Sequence, residues 1–130
     1  MARIKHIAIR TNDPVKTAAF YEQAFDLKQV GKGKNGVYLT DGHINLAILS
    51  MRQAVEGETM KLGLDHFGVQ VEDVEKTIDR VKQLGGSALA AENAPVAAES
   101  SKPQSYFEIK CVGPDGQVID VANGGWVGAD

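Results

Sequence analysis

Residues 5–21 read KHIAIRTNDPVKTAAFY, and residues 65–81 read DHFGVQVEDVEKTIDRV. Each stretch opens on a charged residue and a histidine, alternates through a strand, turns at an aspartate and enters a helix. In the first, Ile7 and Ile9 point one way while His6, Ala8 and Arg10 point the other. TNDP then supplies a helix start, with Asn12 or Asp13 as the cap and Pro14 at the first helical position. Val15, Ala18, Ala19, Tyr21 and Phe25 approximate one face of a 3.6-residue period, so a helix is expected from about Val15 to Phe25. In the second stretch Phe67, Val69 and Val71 face away from His66, Gly68 and Gln70. The helix that follows is stopped by Gly85-Gly86.

Displaced by 60 positions, His6 falls on His66, Asp13 on Asp73, Lys16-Thr17 on Lys76-Thr77, and Gln23 on Gln83. The remainder of each half follows one plan. KQV ends at Gly31-Lys32-Gly33, GVYLT ends at Asp41-Gly42, and HINLAILS follows. Residues 51–63 are polar and glycine-bearing, as a linker would be. Beyond the second helix come a weak strand near Ala88–Ala91, a loop over 92–104, and the strands SYFEIKCV and QVIDVAN around the turn Gly113-Pro114-Asp115-Gly116. Two copies of strand, helix and three strands are too few and too long for a solenoid. They fit one domain over residues 1–130, with modules at about 1–50 and about 64–125.

Strand parity locates the site. Ile7 and Ile9, Ile44, Leu46 and Ile48, Phe67, Val69 and Val71, and Ile119 and Val121 make an aliphatic face that should pack on the amphipathic helices. The opposite face carries His6, Ala8, His43, Asn45, Ala47, His66, Gly68, Val118, Asp120 and Ala122. Small residues beside polar ones, away from the helices, describe a lined cavity.

The whole chain sets limits. Its 130 residues suffice for one core without staples. A formal charge of −3 with no stripe of Lys and Arg argues against nucleic acid as partner. The N-terminus has no apolar run of signal-peptide length, and no stretch has the length of a membrane span, so a cytoplasmic protein without membrane contact is expected. The single cysteine, Cys111, can form no internal disulfide, in keeping with a reducing compartment.

HIAIRTNDPVKTAAFYEQAFDL, DHFGVQVEDVEKTIDRVKQLGG and GPDGQVIDV together resemble the vicinal-oxygen-chelate superfamily, the glyoxalase, fosfomycin-resistance, bleomycin-resistance and extradiol-dioxygenase group. The first is similar to that family's H-x-x-[ILV]-x-V-x-D-x-x-x-x-x-x-F-Y opening, the last to its D-P-D-G-x-x-x-E-[LIV] close. The resemblance implies an α+β fold, with two βαβββ modules in a curled, U-shaped, eight-stranded mixed sheet and the helices on its convex face. It also implies one site within the curl, often in a homodimer, for a small-molecule substrate. Metal ligands in that family come from the first and last strands of each module, here His6, Asn45, His66 and Asp120. Asn45 stands where glyoxalases carry Glu, Gln or His, and Asp120 where they carry Glu.

Two imidazoles and a carboxylate suit a divalent ion such as Zn, Ni, Mn or Fe. The expected metal ligands are therefore His6, His66 and Asp120, with Asn45 orienting substrate or water beside the ion. Glyoxalase-like lyase, isomerase or thiol-transferase chemistry also needs groups that move a proton. Glu108 is the candidate base, with Tyr106 beside it on the same strand face. His43, after the Asp41-Gly42 turn, is a substitute ligand or a solvated turn residue. Ring cleavage of the dioxygenase kind is disfavoured, because Lys110 occupies the place of that group's tyrosine and no histidine lies beyond residue 66. A metal-free drug-binding protein of the bleomycin-resistance kind is the alternative, with Tyr38, Tyr106, Trp126 and Glu108 along its groove. Trp126 reads equally as a tail residue, a lid or a dimer contact.

Overall fold

The computed structural model describes residues 1–53, 60–89 and 108–129. In chain order they form β1 (Arg3–Thr11), α1 (Pro14–Phe25), β2 (Lys28–Gly33), β3 (Gly36–Thr40) and β4 (Asn45–Ser50). The second set is β5 (Gly63–Gln70), α2 (Val74–Gln83), β6 (Ser87–Ala88), β7 (Glu108–Val112) and β8 (Val118–Ala122). The repeated aspartate is a repeated N-cap. Asp13 accepts from the Lys16 amide at 3.1 Å and Asp73 from the Lys76 amide at 3.0 Å, so Asp13 rather than Asn12 opens α1.

All eight strands join one mixed, open sheet in the order β2-β3-β4-β1-β5-β8-β7-β6. β1 pairs with β4 and β5 with β8 in parallel, while β1 and β5 pair antiparallel at the centre. The two halves thus mirror each other about the β1–β5 seam, as the sequence repeat requires.

Each helix covers its own half. Ala18 of α1 packs with Val37, Leu39 and Ile48, joined by Ile9 and Leu46. Val74 and Ile78 of α2 pack with Ile109, Cys111 and Val121, joined by Val69 and Ile119. The aliphatic parity face is therefore the helix-covered one, and Cys111 is a buried thiol within it. On the other face, Tyr38 of β3 and Lys110 of β7 line a single cavity. Those strands stand five positions apart, about 24 Å across a flat sheet. Only a curled sheet brings them around one space.

One turn differs from expectation. β2 runs on through Gly31 and Gly33, and the reversal falls at Lys34-Asn35, with Gly33 paired to Gly36. A register shift between Gln29 and Gly31 makes Val30 the extra residue of a bulge, and Gly31 stays in the ladder opposite Tyr38, so the strand bends there instead of ending. The weak strand is the short β6; the loop 92–104 and Tyr106 lie outside the described residues, as does part of the linker. Among the described residues no helix is long and apolar enough to cross a membrane.

Candidate metal centre

Strand register aligns the site. Asn45 pairs with His6, His6 with Gly68, Gly68 with Asp120, and Asp120 with Lys110, so one row crosses β4, β1, β5, β8 and β7. Gly68 leaves the centre of that row open. A Cβ built there would lie 2.6 Å from the Trp126 ring and 2.9 Å from His6 Cβ. His66, two residues earlier on β5 and opposite Ala8, reaches the same space from the side.

The donors converge. His6 Nε2 lies 3.2 Å from His66 Nε2, and Asp120 Oδ2 lies 3.0 Å from His66 Nε2 and 3.7 Å from His6 Nε2. All three residues are buried, and among the described residues they are the one cluster of His, Cys, Asp or Glu side chains arranged this way. Donors about 2.0–2.2 Å from a common ion at tetrahedral angles stand about 3.3–3.6 Å apart, so the triangle has the size of a coordination face.

The outer nitrogens are committed elsewhere. His6 Nδ1 lies 2.7 Å from Asn45 Oδ1, and His66 Nδ1 lies 2.6 Å from Asp65 Oδ2. Both oxygens only accept, so both Nδ1 atoms donate. The Asn45 amide is itself oriented by Nδ2 donating to the Val127 carbonyl at 2.7 Å. In neutral rings each Nε2 is then a bare lone pair, and the two face each other and a carboxylate oxygen. Such a group of acceptors requires a cation, either a metal ion or a proton.

The titration behaviour follows. Burial, outweighing the pull of Asp120, pushes His6 down to about 4. Burial also acts on His66, but its hydrogen bonds to Asp120 and Asp65 prevail and raise it. Asp120 is held well below the carboxylate range: burial opposes ionisation, and the His66 hydrogen bond and the Lys110 charge overcome it. A lone proton in the site therefore sits on His66.

Around this centre lies a cavity of about 310 Å³, with Tyr38, Arg52, Glu108, Lys110 and Trp126 in its walls. Lys110 Nζ is 2.5 Å from Asp120 Oδ1 and 3.9 Å from Glu108 Oε2. Trp126 stacks on His6 with centroids 5.1 Å apart and planes 4° from parallel. His43 is exposed at the turn and takes no part.

A family model described as Glyoxalase/Bleomycin resistance protein/Dioxygenase superfamily matches residues 3–100. The chain belongs to that superfamily. The match contains both histidines and Asn45 and stops short of Asp120. Over 104 residues, 72% of this chain and 29% of the relative, it is 29% identical to the probable chloroplastic lactoylglutathione lyase of Arabidopsis thaliana. The chain thus spans less than a third of that relative's length. A variant of the Streptomyces coelicolor methylmalonyl-CoA epimerase, solved with 2-nitronate-propionyl-CoA, is similar at a TM-score of 0.68 and 17% identity, over 92% of this chain and 95% of that one. A 2,3-dioxygenase of Pseudomonas sp. KL28 is similar at 0.70 and 19% identity, over 98% of this chain and 42% of that one. These two structures share the superfamily's fold with it.

Two features escaped the sequence reading: Asp65 holds His66, and Lys110 holds Asp120. The first had a signal: the charged residue before each histidine repeats, as Lys5 and Asp65. Of the readings left open for Trp126, the structure shows the indole covering His6.

Proposed function

We propose that this chain is a divalent-metal-dependent, glyoxalase-like enzyme that moves a proton on a small oxygenated molecule, with His6, His66 and Asp120 as the metal ligands. The observation that carries the reading is the meeting of three acceptor atoms, two imidazole Nε2 and one carboxylate oxygen, each ring fixed from behind by an acceptor on Nδ1. A bound divalent ion would supply Lewis-acid polarisation of neighbouring substrate oxygens.

The chain's own groups divide the remaining work. Glu108, in the cavity wall, takes a proton from the carbon beside a substrate carbonyl. Lys110, between Glu108 and Asp120, opposes the negative charge that develops on the substrate. Asn45 holds the His6 ring instead of serving as a fourth ligand. Tyr106 remains a proposed partner of Glu108, and a cytoplasmic homodimer remains part of the proposal, although all three donors come from one chain.

The drug-binding alternative has support in Tyr38, Trp126 and Glu108, which all line the cavity. One experiment separates the two. Protein purified without chelator is assayed for metal, then titrated with Zn(II), Ni(II), Mn(II) and Fe(II), alongside His6→Ala and His66→Ala. One equivalent in the parent and none in either variant supports the enzyme reading. No metal as purified, and none taken up at micromolar levels, rejects it.

A further inference from the structure

The residues after β8 fold back over the site and reach the opposite half of the sheet. Trp126 lies flat on His6. The Val127 carbonyl accepts from Asn45 Nδ2 at 2.7 Å, and the Gly128 carbonyl accepts from Thr40 Oγ1 at 2.8 Å. Gly128, at a φ of +83°, passes so close to β2 and β3 that a Cβ there would lie 2.8 Å from Thr40 Cβ and 2.9 Å from Val30 Cγ2. The segment beginning at the end of the second half thereby meets all four strands of the first.

We infer that this C-terminal strap is a positioning device for the metal centre, in which Trp126 sets the plane of the His6 ring and Val127, through Asn45, sets its tautomer. The inference rests on the metal-centre reading given above. An asparagine amide can turn either edge towards a neighbour. With Nδ2 engaged by the Val127 carbonyl, Oδ1 must face His6, and His6 must carry its hydrogen on Nδ1. That leaves the Nε2 lone pair directed at His66 and Asp120. Without the strap, Asn45 is free to turn over and offer a donor to Nδ1, which moves the His6 hydrogen to Nε2 and closes the ligand position. Trp126 removes the other freedom. Stacked over a slot that only a glycine at position 68 leaves open, it blocks rotation of the imidazole out of the row.

The test uses the full-length protein in two arms. In the metal-free arm, ¹⁵N–¹H correlation spectra report the tautomer of each imidazole, with folding checked by circular dichroism. The parent is expected to show His6 as the Nδ1–H form. Asn45→Leu, which loses both amide contacts, is expected to shift it towards Nε2–H. In the metal arm, Asn45→Leu and Trp126→Ala are expected to weaken binding by about 10- to 100-fold. Trp126→Phe should recover most of the loss. Gly68→Ala, whose Cβ would crowd both the indole and His6 Cβ, should weaken binding at least as much as Trp126→Ala. Folded variants that keep both the parent tautomer and the parent affinity would overturn the inference. Should the parent bind no metal, the enzyme reading falls, and the tautomer spectra alone decide whether the strap positions His6.

Discussion

Lys110 Nζ sits 2.5 Å from Asp120 Oδ1 while the other oxygen of the same carboxylate faces both histidines. The lysine therefore limits Asp120 to a single donor atom, and its charge stands beside the proposed ion. Removing it has opposite effects on the two forms of the protein. In metal-free Lys110→Met, a carboxylate that is 2% exposed loses its cation, and stability should fall by about 1–3 kcal/mol. In the loaded form the divalent charge takes the lysine's place, both oxygens become available, and affinity should rise several-fold. Thermal melts with and without saturating metal check both signs, because ligand that binds only the folded state restores stability. A variant that melts alike in both forms contradicts this account.

Metal uptake should displace a proton from His66 and none from His6. His66 is raised above its ordinary value of about 6.5, so at pH 6.5 it is the ring that holds the proton more than half the time, whereas His6, at about 4, is already neutral. Affinity should accordingly fall about tenfold per pH unit as pH drops below the His66 value, and level off above it. In metal-free protein the two histidines affect stability in opposite senses. The contribution of His66 is complete below the unfolded value of about 6.5 and is lost as pH rises through its folded value. His6 costs stability as pH falls from about 6.5 towards 4, because the unfolded chain takes a proton that the folded ring refuses. Calorimetric titrations in buffers of differing ionisation enthalpy count the proton released. A count near zero at pH 6.5 would disprove the assignment.

Glu108→Gln should separate binding from chemistry. Glu108 is not among the three clustered donors, so metal affinity should change by less than about threefold. Loss of the base should slow exchange of a carbon-bound proton by about 10²–10⁴-fold. The readout is deuterium incorporation into small 2-hydroxy ketones in heavy water, followed by NMR with parent and variant equally loaded. A variant that exchanges at the parent rate removes Glu108 from the mechanism.

The pattern of residues reveals the fold more fully than it reveals the surroundings of the ligands. Alternation placed His6, Asn45, His66 and Asp120 on the face away from the helices, and a repeated histidine on a repeated leading strand marked where the halves meet. Asp65 was invisible to that reasoning because alternation assigns it the opposite face. Between the pairs Ala8–His66 and Ile9–Leu64 it is the extra residue of a bulge, and between Ile4–Val69 and His6–Gly68 its repeat partner Lys5 is the extra residue of another. Two bulges, one on each side of the seam, re-aim both charged residues, and no period-two reading anticipates them. Trp126 was unplaceable for a different reason. Its position depends on the Val127 and Gly128 carbonyls meeting Asn45 and Thr40, contacts between residues 82 and 88 positions apart that no local pattern encodes.

The support behind His66 yields a prediction that bears on the metal centre without altering any ligand. Asp65 Oδ2 receives the His66 Nδ1 hydrogen at 2.6 Å and lies 3.5 Å from Arg10 Nε. Its charge makes the ring more basic and fixes the Nε2 lone pair on the donor triangle. Asp65→Asn keeps the shape but removes the charge. If the new amide presents its oxygen to His66, the tautomer survives while basicity falls; if it presents its nitrogen, the hydrogen moves to Nε2 and the position closes. Either arrangement should weaken metal binding, by about 10- to 100-fold, and lower the pH at which affinity levels off. Asp65→Glu, with the charge kept on a longer arm, should lose less. Competition titrations at pH 6, 7 and 8 give both quantities. A loss that is the same at every pH would mean that Asp65 only shapes the strand, and the tuning role assigned to it would be withdrawn.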